Sequence, residues 1–103
     1  MKTLTASSFC LAFLFLSSSC SKFSKVLKSK DYDYKLKMAD SYYASKKFRQ
    51  AQTLYEELFP IYKGSPQFED IYYRYAYCHY NQKDYLSAEN LFKGYLEVFS
   101  NSP

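Results

Sequence analysis

Glycine, proline and histidine are scarce in this sequence and tryptophan is absent: 103 residues hold two Gly, three Pro and one His. Two glycines leave no room for a glycine-rich phosphate loop, and a single histidine excludes the paired-histidine zinc motifs. The three cysteines, Cys10, Cys20 and Cys78, form no CxxC pair, so neither a thiol redox motif nor a zinc ribbon is available. Charge of one sign is also sparse. The net charge is +4, and between Cys20 and Lys30 there are four Lys and no acid, whereas Asp31 to Pro103 holds nine basic and ten acidic residues. A near-neutral body lacks the basic stripe of a nucleic-acid binder. The apolar run Phe9 to Leu16 has eight residues, too short for a membrane-spanning helix, which needs about 20. Aromatic residues are what the chain has in excess, with 13 Tyr and nine Phe. That is too much packing surface for a disordered tail, and the length sets one small domain as the ceiling.

The first twenty residues have the order of an export signal. Met1 and Lys2 make a positive start, FCLAFLFL follows, and Ser17, Ser18 and Ser19 lead to Cys20. This order resembles a bacterial lipobox, in which the cysteine is lipidated and becomes the mature N-terminus. Ser17 stands where that pattern has a Leu-like residue, with Leu16 one step earlier. Residues 1–19 are therefore expected to be a lipoprotein signal peptide, Cys20 the lipidated residue, and residues 20–30 a solvated basic leash. Cys10 would leave with the signal and Cys78 would remain alone, so the core must hold by packing without a disulfide.

The body is one unit written twice. At a shift of 37, Ala39 meets Ala76, Tyr43 meets Tyr80, Phe48 meets Tyr85, Ala51 meets Ala88, Leu54 meets Leu91 and Ser65-Pro66 meets Ser102-Pro103. Apolar positions recur at three and four: Phe48, Ala51, Leu54, Tyr55, Leu58, Tyr62, then Tyr85, Ala88, Leu91, Phe92, Tyr95, Phe99. Two helices per unit fit. The first helices are predicted over 31–45 and 67–82 and the second over 47–63 and 85–99. Gly64 suits the end of a helix, Ser65 can cap the next, and Pro66 suits its first turn. Gly94 is a misfit inside a helix, to which close packing against a neighbour would give a reason.

The series Ala39, Tyr42, Ala51, Tyr55, Pro66, then Ala76, His79, Ala88, Phe92, Pro103 resembles the tetratricopeptide repeat, with Lys35 where that family has a large residue and a period above its usual 34. The resemblance implies an all-α fold of two tetratricopeptide-like helical hairpins, repeat 1 over 31–66 and repeat 2 over 67–103, as part of an α-solenoid. Two repeats seldom suffice for stability and the last helix keeps an apolar side, so further repeats are expected after Pro103.

The search for chemistry ends quickly. His79 takes a repeat position normally aromatic, which favours packing over ligation, and Cys78 and His79, being adjacent, cannot face each other on one helix. Glu56-Glu57 and Glu69-Asp70 read as solvated doublets. No catalytic residue, cofactor or metal is expected, and the chain is read as non-enzymatic. In the repeat family the first helices line a concave groove, and the resemblance places Leu36, Asp40, Tyr43, Tyr73, Tyr77 and Tyr80 there. An aromatic groove with hydroxyls suits an extended, apolar and aromatic peptide; the same tyrosines could instead pack against a further repeat or the N-terminal leash. Relatives that clamp a carboxylate terminus use Lys and Asn where Leu36 and Asp40 stand, which disfavours that mode.

The lipobox cysteine, the basic segment and the stretch KFRQAQTLYEELFPIYKGSP are similar to the start of BamD-type outer-membrane assembly lipoproteins. That resemblance implies a scaffold anchored by lipid to the periplasmic face of the outer membrane. Its partners would be the barrel assembly protein and unfolded outer-membrane protein precursors, with no nucleic acid. The alternatives are another envelope lipoprotein of this repeat type, serving the cell wall or nutrient uptake, and the repeat appendage of an exported hydrolase.

Overall fold

The computed structural model describes residues 21–100, so the signal segment, the lipidation candidate Cys20 and Pro103 lie outside the described residues. Among the described residues five helical segments follow one another: α1 (described over residues 21–28), α2 (Tyr32–Ala44), α3 (Phe48–Tyr62), α4 (Phe68–Asn81) and α5 (Tyr85–Phe99). Among the described residues there is no strand, and the fold is the all-α hairpin solenoid the spacing predicts. Each helix from α2 onward packs on the next, α2 on α3, α3 on α4 and α4 on α5.

Local chemistry explains the boundaries. Asp31 caps α2, its carboxylate accepting from the Tyr34 amide at 3.2 Å. The turn from α2 to α3 and that from α4 to α5 are the same object 37 residues apart. Lys46 and Lys83 take left-handed backbone with φ of 62° and 67°. In each turn the same two amides reach back: Lys46 to Tyr43 and Lys47 to Tyr42, Lys83 to Tyr80 and Asp84 to His79. Gly64, at φ 87°, closes α3 as expected. Ser65 does not cap α4. Its hydroxyl is buried without a partner, and its backbone carbonyl accepts from the Phe68 amide instead. Pro66 and Gln67 form the turn before α4 rather than its first residues.

The duplicated small residues explain how closely the helices approach. Ala39, Ala51 and Ala76 are fully buried and Ala88 is 2% exposed. Around them the largest wholly enclosed side chains are Tyr55, Leu54, Leu58, Ile71, Val26 and Cys78, each large aliphatic contributing about 1.5–3 kcal/mol by leaving water. Gly94 has the reason the sequence asks for: a Cβ there would collide with the Tyr72 hydroxyl.

The basic leash is not a leash. Residues 21–28 form a helix docked on the first hairpin, with Val26 1% exposed and Phe23 edge-on to Tyr42 at 5.7 Å between ring centroids. Phe23, Val26 and Leu27 are spaced for one helical stripe, while Lys22, Lys25 and Lys28 stay exposed. The four Lys conceal an amphipathic pattern only two turns long. Lys35, the departure from the family pattern, holds this helix: its ammonium donates to the Leu27 carbonyl at 2.8 Å and to Glu57 of α3 at 2.7 Å. The side chain is 5% exposed and Glu57 47%. A cation at the end of α1 satisfies a carbonyl that has no partner within the helix and complements the helix dipole.

Lys35→Ala is expected to lower stability by about 2 kcal/mol, below the figure for a fully buried pair because Glu57 can rehydrate. Amide exchange in residues 21–28 should accelerate well beyond that in α3 and α4; equal protection of α1 in the variant would show that Lys35 does not hold it.

Candidate peptide-binding face

Three of the six groove candidates form one aromatic ladder along α4. Tyr73 stacks on Tyr77 with 5.9 Å between centroids and 19° between planes, and Tyr77 meets Tyr80 at 5.6 Å. Helical spacing of four and three puts them on one face. Helix α5 supports the ladder from beside it: Phe92 and Tyr95 stand edge-on to Tyr73, and Tyr85 to Tyr80. Tyr73 is 44% exposed and Tyr80 48%, so ring faces and hydroxyls remain open to a partner. This is an open surface, not an enclosed cavity.

The α2 candidates stand differently. Tyr43 is half-buried, edge-on to Phe48 at 5.7 Å, with the Arg74 guanidinium over its ring at 5.8 Å. Arg74 also neighbours Tyr73 in sequence, which links Tyr43 to the ladder. Asp40 is committed to the protein's own structure: one carboxylate oxygen accepts from the Tyr55 hydroxyl at 2.5 Å and from Arg74 at 2.8 Å. Leu36 packs half-buried against the core cluster and contributes to that core. The ladder, with Tyr43 and Arg74 at its edge, is therefore the face that a peptide could use.

Several contributors escape sequence reasoning. Arg74 pairs with Asp40 over 34 residues, a juxtaposition visible only once the hairpins are stacked. Glu56 and Glu69 accept hydrogen bonds from Tyr75 and Tyr95, both at 3.1 Å, and Glu57 pairs with Lys35, so these three glutamates serve as acceptors between helices. Tyr62 likewise donates to Asp33 at 3.1 Å. His79 packs edge-on to Tyr75 at 5.1 Å and shares a hydrogen bond with Asp84 at 3.0 Å across the turn to α5. A depression of about 590 Å³ between Phe59, Gly64, Phe68, Tyr72, Val98 and Phe99 lies at the junction of the hairpins. Among the described residues, no group of three or more His, Cys, Asp or Glu could hold a metal ion, and no helix is long and apolar enough to cross a membrane.

Stacked helical hairpins whose surface offers aromatic faces, hydroxyls and one guanidinium define a helical-repeat interaction module. The family model described as tetratricopeptide repeat matches residues 42–103, more than half of the chain. The chain belongs to the tetratricopeptide repeat family, whose repeats mediate protein–protein interaction and generally act as non-enzymatic scaffolds. Neither the search of curated proteins nor that of solved structures finds a match.

The buried acids carry a pH prediction. Burial pushes the Cys78 thiol up to about 12 from its usual 9.0. Burial, helped by Glu56, pushes Tyr75 to about 12, and burial followed by the bond to Asp40 raises Tyr55 far above its usual 10.0. In the unfolded chain these groups release their protons near their usual values, so between about pH 9 and 12 the folded state holds more protons and stability falls as pH rises. The denaturant midpoint should be flat from about pH 7 to 8.5 and decline steeply above about pH 9.5. At neutral pH Cys78 should resist alkylation until denaturant is added. A midpoint unchanged at high pH, or a reactive native thiol, would contradict the enclosed placement of these side chains.

Proposed function

We propose that this chain is a non-enzymatic adaptor of the outer-membrane β-barrel assembly machinery, anchored through Cys20 on the periplasmic face of the outer membrane. It holds a segment of an unfolded barrel precursor on the Tyr73–Tyr77–Tyr80 ladder. The observation that carries this reading is the ladder itself. Tyr73 and Tyr80 are exposed, Tyr77 stacks between them, and the rings are backed by Phe92, Tyr95 and Tyr85. Barrel strands alternate apolar and polar residues and carry aromatic girdles. An extended segment of that kind presents side chains to ring faces on one side and backbone amides and carbonyls to tyrosine hydroxyls. Tyrosine loses little conformational freedom when it makes such contacts, because it has few rotatable bonds. The support for export and anchoring is the order of the first twenty residues, from the positive start through the apolar run to Cys20.

Binding of a fluorescent barrel-strand peptide should weaken by about tenfold or more when Tyr73, Tyr77 and Tyr80 become Ala. Tyr73→Phe with Tyr80→Phe, which keeps the packing and removes two hydroxyls, should lose a smaller part of the affinity. Helical circular dichroism must persist in both variants, and unchanged affinity in the triple variant removes the ladder from the reading. Anchoring has a separate test. Cys20→Ala should move the expressed chain from the membrane fraction to the soluble one, and continued membrane association would count against lipidation.

A further inference from the structure

The turn between α1 and α2 borders a depression of about 350 Å³, lined by Leu27, Lys28, Lys30, Tyr32, Lys35 and Ile61, with Glu57 beside Lys35. Helices α1, α2 and α3 all contribute to it, so it lies between described elements and not at the end of the stack. The internal repeat shows what is particular about it. At the shift of 37, Leu27, Lys28, Lys35 and Ile61 correspond to Gly64, Ser65, Tyr72 and Val98, which line the depression at the junction of the hairpins. The correspondence extends to contacts: Lys35 pairs with Glu57, and at the same two places in the second repeat the Tyr72 hydroxyl lies against Gly94. One architectural position thus occurs twice, and the first copy holds Lys28, Lys30 and Lys35 where the second has Ser65, Gln67 and Tyr72.

The charges of the first copy do not cancel. Lys35 neutralises Glu57, and among the described residues Lys28 and Lys30 form no ion pair. Asp31, next to Lys30, turns its carboxylate to the Tyr34 amide, and Asp33 accepts from Tyr62. Lys35 is the enclosed donor, with its side chain 5% exposed. An ammonium has three N–H groups, and this one spends two on the Leu27 carbonyl and Glu57, which leaves the third for the depression that Lys35 lines. Ser29, also in the lining, accepts from the Asp31 amide at 3.1 Å and keeps its hydroxyl hydrogen to donate. Beside these donors Tyr32 is 40% exposed and Ile61 47%. Cations next to an aromatic ring and a branched aliphatic side chain suit an anion that continues into an apolar group.

We propose that this depression holds the phosphate of a phospholipid head group. Lys28, Lys30 and the third N–H of Lys35 donate to phosphate oxygens, and Tyr32 and Ile61 lie against the glycerol and the first methylenes. The place in the chain fits a membrane source: Cys20 directly precedes α1 in sequence, and Lys28 ends that helix roughly 10 Å along it from residue 21. The choice of a lipid as the bearer of the phosphate rests on the proposed anchoring at Cys20, whereas the binding of a phosphate group does not.

Three probes test the site on the full chain in a non-ionic detergent at fixed ionic strength, read through the amide chemical shifts of residues 27–35. They are short-chain phosphatidylglycerol, inorganic phosphate, and the short-chain diacylglycerol that lacks the phosphate. The phospholipid should bind, inorganic phosphate should bind at least about tenfold more weakly, and diacylglycerol should leave these amides unmoved. Lys28→Gln and Lys30→Gln should each weaken phospholipid binding about fivefold, the worth of one lysine beside a lipid phosphate. Lys25→Gln, which removes the same charge from α1 outside the depression, should change it less than about twofold. Ile61→Ser should weaken the phospholipid and leave inorganic phosphate unchanged. All four residues are exposed, so circular dichroism should stay constant. Inorganic phosphate that binds as tightly as the phospholipid overturns the lipid assignment, and diacylglycerol that moves the same amides overturns the role of the phosphate. Equal losses in Lys25→Gln and Lys28→Gln would reveal diffuse surface charge and overturn the site, as would amides at 27–35 that no probe moves. The short-chain lipid reaches the depression whether or not Cys20 is acylated, so a failure here is separate from a failure of the anchoring test.

Discussion

One carboxylate oxygen of Asp40 accepts hydrogen bonds from two different helices, from the Tyr55 hydroxyl of α3 and from Arg74 of α4. Tyr55 is wholly enclosed, and an enclosed hydroxyl without a partner would cost about 1–3 kcal/mol, so the first of these bonds is obligatory for the first hairpin. The second crosses from one repeat to the next. Arg74 is half-exposed, so its pair with Asp40 is a modest contributor to stability. Its consequence is geometric. With the buried Phe68, Ile71, Ala76 and Cys78 that set the rotation of α4, it ties that helix to α2, and Tyr73 and Tyr77 lie on either side of Arg74 along the helix. The direction in which the aromatic ladder faces is thus tied to a carboxylate in the preceding repeat.

The same chemistry recurs along the chain and accounts for four of the 13 tyrosines. Tyr55 and Tyr62 of α3 donate to Asp40 and Asp33 of α2, Tyr75 of α4 donates to Glu56 of α3, and Tyr95 of α5 donates to Glu69 of α4. In every case a later helix supplies the hydroxyl and the helix before it supplies the carboxylate. A phenylalanine would fill the same space, but it would remove the hydrogen bond that ties each ring to the preceding helix. A ring that packs and a hydroxyl that sets position let a small chain with no internal disulfide among the described residues define how its rods are stacked.

Much of this is legible without coordinates. The recurrence at 37 places all four helices from α2 to α5 and identifies Ala39, Ala51, Ala76 and Ala88 as the points of closest approach, because small residues in a helical stripe have few other uses. The ladder is legible too, since Tyr73, Tyr77 and Tyr80 share a face by spacing alone. What escapes is anything that depends on the angle between helices. Asp40 reads as a groove residue because it shares a face with Leu36 and Tyr43, yet the crossing of α2 over α3 turns its carboxylate onto Tyr55. Glu56, Glu57 and Glu69 read as solvated because helical periodicity puts them outside the stripe, and only the stacking of helix on helix brings donors to them, Tyr75 to Glu56, Lys35 to Glu57 and Tyr95 to Glu69. Helix α1 is concealed for a third reason: three apolar residues among four lysines make a stripe too short for periodicity to register.

That docked helix changes what anchoring at Cys20 would mean. A flexible segment of ten residues would let the repeats sample any orientation within roughly 35 Å of the bilayer. Residues 21–28 are instead helical and docked, with Lys35 of α2 holding the Leu27 carbonyl at the end of α1 and Glu57 of α3 together. The α1 lysines at 22, 25 and 28 are exposed, and each would gain about 1 kcal/mol beside an anionic surface. On the proposed reading α1 is therefore a mount. The lipid sets the position of α1, Lys35 couples α1 to α2 and α3, and Asp40 couples those two to α4. The orientation of the tyrosine ladder relative to the membrane then depends on the contacts of Lys35 with Leu27 and Glu57, on those of Asp40 with Tyr55 and Arg74, and on the packing between the helices.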